Sequence, residues 1–431
     1  MTASRFFGAT LALALLAACG EEDVILPGER FDLREQPVLV NRALPVSLPA
    51  QRANVDWTHR NGDADHKITH PALGTALTSA FVAPIGEGNS RRARITADPV
   101  VAGGVVYTLD ARGLVTATTT AGQTAWTRSL TPSLDNREDA SGGGISVAGG
   151  VVYVTTGYGE LTALDAASGA IRWVQDLDAP AMSPPTIAGN LVYVVARDST
   201  AWALDVATGR IQWQVSANPS TANFGSGAAP AVNGDIAVFP FPSGEVVGTF
   251  PQGGLRRWSS AVTGDRLGRV ASVITDIAGD PVIVGDRVYV GNFGGRVVAL
   301  DTTTGDRLWT AGEGAISPVW PVGSAIYLVN DVNQLVRLNA ASGDPVWRVD
   351  LPNVEGERRR QQRSVIGHYG PVLAGGRLIV ASSDGQIRQF DPVSGALTGA
   401  VALPGGAASH PVVAGQTLYV VSADGVLHAF R

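Results

Sequence analysis

Short alternating runs of apolar and polar residues, broken every five or six positions by glycine-rich turns, run through most of this chain. The most regular stretch lies between Pro281 and Trp309. An apolar strand meets a turn at Gly285, and Arg287 to Gly291 alternates. A second turn holds Gly294 and Gly295, and Arg296 to Leu300 alternates again. Asp301 to Gly305 turns once more, and a fourth strand carries Trp309. Period-two alternation between glycine turns predicts a four-stranded antiparallel meander. One such sheet has two faces to bury and is not stable alone. It therefore has to recur.

It recurs eight times. The glycine ahead of the second strand reappears as Gly103, Gly149, Gly189, Gly234, Gly285, Gly323, Gly375 and Gly415. Four residues after each stands an apolar residue, Tyr in six units, Val238 in the fourth and Ile379 in the seventh. An Ala-Leu-Asp-x-x-Thr/Ser-Gly-x-x-x-Trp signature follows. It is clearest from Ala163 to Trp173, Ala203 to Trp213 and Ala299 to Trp309, and weaker ahead of Trp126, Trp258 and Trp347. These units predict an all-β chain, an eight-bladed β-propeller of four-stranded antiparallel blades. The repeated Trp is expected to wedge between blades and the repeated Asp to hold a turn. Two units depart from the pattern. Gly399 stands at the Trp position of the seventh, and the eighth ends at Arg431, after its third strand. The strand Asn54-Val-Asp-Trp57-Thr-His59 is therefore expected to complete the last blade and remove an open edge.

Ahead of the repeats, Arg5 precedes an apolar run from Phe6 to Ala18, too short to span a membrane and shaped like a signal-peptide core. It ends Leu16-Ala17-Ala18-Cys19, which resembles a bacterial lipobox. The domain expectation is a signal peptide over 1–18, a lipidated Cys19 with a flexible tether over 19–50, and a propeller over 51–431. Several acyl chains together anchor stably. A tether of this length spans on the order of 30 Å. Gly20, rather than Asp, follows the Cys, which under the enterobacterial sorting pattern implies the outer membrane, periplasmic face.

Composition narrows the chemistry. A net charge of −6 argues against a general nucleic-acid binder. A single Cys excludes an internal disulfide and Cys-based zinc sites. Asn61-Gly-Asp63-Ala-Asp65-His66 loosely resembles a calcium loop but lacks the later Gly and the bidentate Glu, so it is read as a polar loop. Gly142-Gly-Gly144 lacks a following Lys-Ser/Thr and is read as a flexible inter-blade linker. No nucleophile elbow occurs, and nothing in the spacing joins Ser and His into a triad. No catalytic, cofactor or metal residue is assigned. Three inserts break the regular spacing: 216–229, 259–280, and 352–370 with its cluster Glu357-Arg-Arg-Arg-Gln-Gln-Arg363. Long loops on a rigid scaffold are where binding residues concentrate.

The signature as a whole resembles the PQQ-like, quinoprotein-type propellers. One group within them is the PQQ-dependent dehydrogenases, which typically carry adjacent cysteines near the cofactor. This chain has no second Cys. The other is the BamB family, lipoprotein subunits of the outer-membrane β-barrel assembly (BAM) machinery. Lipobox, short tether, Trp57 strand and eight blades together resemble it over essentially the whole mature chain. That resemblance implies a non-enzymatic scaffold without cofactor. It would bind the POTRA domains of BamA and other BAM subunits and aid nascent outer-membrane proteins. It also implies contact loops entering the fourth and fifth blades. In those loops Phe224 matches an apolar position and Asp276 the first acid of an Asp-x-Asp, whose second is Ala278 here. Arg266 and Arg269 are the candidates for the missing basic contact. The alternatives are a periplasmic PQQ-dependent enzyme and an envelope propeller that binds some other protein.

Overall fold

Thirty-two strands in eight four-stranded antiparallel sheets make up the ordered elements of the computed structural model among its described residues, 39–220, 227–264, 266, 276–354 and 365–431. Blades one to seven are consecutive meanders over 100–129, 143–176, 186–216, 231–261, 279–311, 320–350 and 368–402. The eight sheets close into an eight-bladed β-propeller. In each blade the first strand is innermost and the fourth outermost. All eight turn glycines fall between the first and second strands, as the repeat predicts. First-to-second and third-to-fourth turns thus share one face, the turn face. Second-to-third turns and blade-to-blade connections share the other, the linker face.

The repeated Trp is an inter-blade wedge. Within its own blade it packs on the repeated Tyr, with ring centroids 5.9–6.0 Å apart in five blades. Its indole then leans on the signature glycine of the next blade. A Cβ on Gly169 would lie 2.5 Å from the Trp126 ring, and one on Gly209 2.6 Å from Trp173. Both glycines also have positive φ, so two separate constraints select the same residue. The indole N–H donates to a carbonyl of that neighbouring turn, as from Trp126 to Ala166 at 3.0 Å and from Trp309 to Ala340 at 3.1 Å. The repeated Asp is the turn residue expected: Asp165 Oδ1 accepts from the Ala167 and Ser168 N–H groups.

Closure from the N-terminal side holds, but the strand differs from the one expected. Ser79–Pro84 pairs antiparallel with Val426–Phe430 as the outer strand of blade eight. Phe81 sits beside Tyr419 at 6.3 Å and leans on Gly122 of blade one, the place of the missing Trp. Trp57 is elsewhere, paired with the inner strand of blade one. In blade eight Phe81, not a Trp, fills the wedge place, so the Trp signature does not extend to the closing strand. Gly399 also has a cause. The third and outer strands of blade eight are not joined by a turn, so no signature glycine awaits a Trp from blade seven. Gly143 and Gly144 lie in the inner strand Gly143–Ala148 rather than in a linker. A Cβ on Gly144 would meet Pro184 backbone at 2.3 Å, so close packing selects it.

Val40–Arg431 forms one compact unit. Within the stretch read as a tether, residues 41–49 lie along blade six. The Arg42 N–H donates to Val346 O, and Arg337 donates to the Leu44 and Pro45 carbonyls.

Candidate functional site

Each blade's inner strand presents a free edge to the central channel. Its outward N–H groups belong to the residues two and four before the turn glycine, because the residues between them pair with the second strand. An unpaired buried N–H costs about 1–3 kcal/mol. The chain meets this in two ways. At the fourth position back, six of eight blades carry proline, which has no N–H: Pro99, Pro185, Pro230, Pro281, Pro371 and Pro411. At the second, the segment 54–76 pairs the donors itself. Val101 donates to Trp57 O, Val147 to Thr58 O, Val232 to Ala64 O and Ile283 to Asp65 O, at 2.7–3.0 Å. Ile187 donates to His59 Nε2 at 3.0 Å. In blade six that position is Pro321, and Trp57 stacks on the adjoining Trp320 at 6.3 Å. Gly375 donates to Pro71 O in blade seven, and Gly415 to Asn54 O in blade eight. Segment 54–76 is thus a plug that touches every blade.

Its histidines are tuned for this. The His59 Nε2 accepts a backbone N–H, so its proton sits on Nδ1, beside Thr58 Oγ1 at 2.8 Å. Burial, with the nearby His66, pushes its pKa down to about 3, which keeps the ring neutral. His70 repeats the arrangement, accepting from Gly376 N–H and donating to Pro49 O.

From the plug, Arg60 reaches toward the linker face. It binds Asp98 at 2.9 Å and Asp280 at 3.3 Å, all three buried. Burial opposes its charge, but Asp280 and Asp98 outweigh burial and raise its pKa. Burial would likewise raise the Asp98 carboxyl, but His410 and Arg60 hold it well below the usual range. His410 Nδ1 lies 2.9 Å from Asp98, and its Nε2 lies 2.8 Å from Ser317 Oγ. Asp, His and Ser are thus spaced as in a hydrolytic triad. Two features make the trio a clamp instead. Ser317 is 3% exposed, and the cavity beside His410 is about 10 Å³, too small for an acyl substrate. Its members open the inner strands of blades one, eight and six, and the network ties those blades together. Among the described residues no group of three or more His, Cys, Asp or Glu is placed to hold a metal ion.

Two residues assigned to the partner surface come together on the linker face, around one turn of blade five. The Arg266 N–H donates to Gly294 O, and Asp276 O accepts from the Phe293 N–H. The Arg266 guanidinium, 29% exposed, binds Asp331 at 2.8 Å and Glu313 at 3.3 Å. Asp276 is 4% exposed and lines a cavity of about 30 Å³ with Arg197, Met182 and Pro242. Cys19, Phe224, Arg269 and the cluster 358–363 lie outside the described residues.

The profile of the family described as outer membrane protein assembly factor BamB matches residues 111–349 and 333–431. The chain belongs to the BamB family. The outer membrane protein assembly factor BamB of Escherichia coli is 29% identical over 339 residues, 77% of this chain and 83% of that protein. The crystal structure of BamB from Moraxella catarrhalis aligns with a TM-score of 0.68 at 22% identity, covering 83% of this chain and all of that one. The quinohemoprotein alcohol dehydrogenase from Comamonas testosteroni aligns with a TM-score of 0.65 at 14% identity, covering 88% of this chain and 81% of that chain, a likeness of fold alone. Within this BamB-family chain, the plug is the feature that sequence reading missed. Its only signal was Trp57, a large apolar side chain in a stretch otherwise read as polar.

Proposed function

We propose that this chain is a non-enzymatic scaffold lipoprotein of the outer-membrane β-barrel assembly machinery. Residues 1–18 direct export, and Cys19 carries the lipid at the periplasmic face of the outer membrane. The linker face docks the POTRA domains of BamA, and the complex aids insertion of outer-membrane proteins. The observation that carries this reading is the self-filled channel in a BamB-family propeller. Trp57, Arg60 and His66 take up the axial space themselves, and the described ends of the inserts 216–229, 259–280 and 352–370 lead from outer to inner strands on the linker face. Arg266, 29% exposed beside one blade-five turn, supports contact there, while buried Asp276 holds that turn from beneath; Arg269 belongs to the same insert and Phe224 to the one before it.

Affinity purification from detergent-solubilised native membranes tests it. BamA should dominate the wild-type eluate and fall at least tenfold with Phe224→Ala/Arg266→Ala, at equal recovery of the folded lipoprotein. Wild-type eluates without BamA would overturn the assignment. Radiolabelled palmitate should enter the wild type and not Cys19→Ser; equal labelling would sink the anchor.

A further inference from the structure

Blade four breaks the repeat in its third-to-fourth turn. Asp165, Asp205, Asp301 and Asp391 stand at the turn position four before the signature glycine, each accepting backbone N–H groups. Blade four has Phe250 there, in Phe250-Pro-Gln-Gly-Gly254. The change has a cost. Trp213 leans on Gly254, yet among the described residues its buried Nε1 has no partner, whereas the indoles of Trp126, Trp173, Trp258, Trp309 and Trp347 donate to the neighbouring turn. A feature kept against stability points to use.

The rebuilt turn exposes apolar surface beside a cleft. Phe250 is 46% and Leu255 69% exposed. The Arg257 guanidinium lies 5.0 Å from the centre of the Phe250 ring and donates to Asp235 O. A cleft of about 850 Å³ on the turn face crosses blade four, from Tyr193 of blade three to Thr302 and Thr303 of blade five.

The molecule supplies its own example of what lies on this face. Over blade six, residues 41–49 run as an extended, proline-bearing segment. Arg337 takes its Leu44 and Pro45 carbonyls, Val46 and Leu48 pack on the core, and the Ser47 carbonyl covers Gly323. Arg337 stands where the signature has Ala, so that seat is built for its occupant. Gly234 is the blade-four counterpart of Gly323; it borders the cleft and, among the described residues, nothing lies over it. An arginine again lines the wall, here stacked on an aromatic ring.

We propose that the turn face of blade four is a docking cleft for an extended, aromatic-bearing segment of another polypeptide. The segment's carbonyls face Arg257, and one ring packs on the Phe250–Arg257 pair. The surface lies on the opposite face from the BamA contact and does not depend on it.

Fluorescence anisotropy of the full-length lipoprotein in detergent tests the proposal. The probe is a labelled peptide of the 41–49 sequence with both leucines replaced by phenylalanine; the control carries serine at those positions. Phe250→Asp restores the turn residue of blades two, three, five and seven and should fold at least as well as wild type. Saturable binding of the phenylalanine probe is expected, weakened at least tenfold by Phe250→Asp and about fivefold by Arg257→Gln, with BamA recovery unchanged. Absence of saturable binding, equal affinity of Phe250→Asp, or equal binding of the serine control would each overturn it.

Discussion

Arg60 ties two blades through one side chain: its guanidinium joins carboxylates from blades one and five inside the channel. Removing one partner of a buried pair leaves the others charged and unmatched, at about 3–5 kcal/mol. Arg60→Leu should lose that much in denaturant unfolding; a loss under 1 kcal/mol would contradict the clamp. Asp63 works in the opposite sense with pH. Burial, then the hydrogen bond with Asp65, raises its carboxyl to about 8. A raised acid favours the folded state fully below the unfolded value near 3.8 and loses that contribution as pH rises through about 8. Asp63→Asn should therefore gain melting temperature relative to wild type between pH 5 and pH 9. A parallel pH profile would refute the buried protonated state. His59, depressed to about 3, favours the folded state above 6.5 and loses that contribution as pH falls toward 3. The wedge Trp, its glycine and the turn Asp were legible in the sequence because they repeat. Arg60, Asp98, His410 and Ser317 were not, because they occur once each and meet across up to 312 residues.

At the level of elements, the plug and the closing strand are separate devices that lie next to each other in sequence. Ser79–Pro84 removes the ring's seam by pairing with Val426–Phe430. Segment 54–76 pairs the inner edges that proline leaves open. The blades could be read from alternation and turn glycine, since a half-buried strand writes its period into the chain. The plug is irregular, and its partners are backbone N–H groups that leave no side-chain pattern. Its one aromatic anchor is Trp57, fully buried against Trp320. Trp57→Ala should cost about 3–5 kcal/mol in urea unfolding. It should also speed hydrogen exchange at Val101 and Val147, the donors paired to Trp57 and Thr58. Unchanged exchange at both would mean that the plug is not held by this residue.

The whole molecule has two unlike faces. The linker face holds the ionic group of Arg266, Glu313, Arg348 and Asp331. The turn face bears the plug, the 41–49 segment and the open cleft over blade four. A ring closed from both ends and filled along its axis keeps these faces rigid, which suits a scaffold holding partners in fixed geometry. Family and fold were readable from the signature and lipobox. The proposed partner surface is marked in the sequence only by two inserts, because a contact made with another chain leaves no periodicity in this one. The most direct measurement is biolayer interferometry of purified BamA periplasmic POTRA domains on the immobilised lipoprotein. The wild type and the turn-face variant Phe250→Asp should bind alike, and Phe224→Ala/Arg266→Ala at least tenfold more weakly. Equal binding by the linker-face variant, or loss confined to Phe250→Asp, would contradict the account.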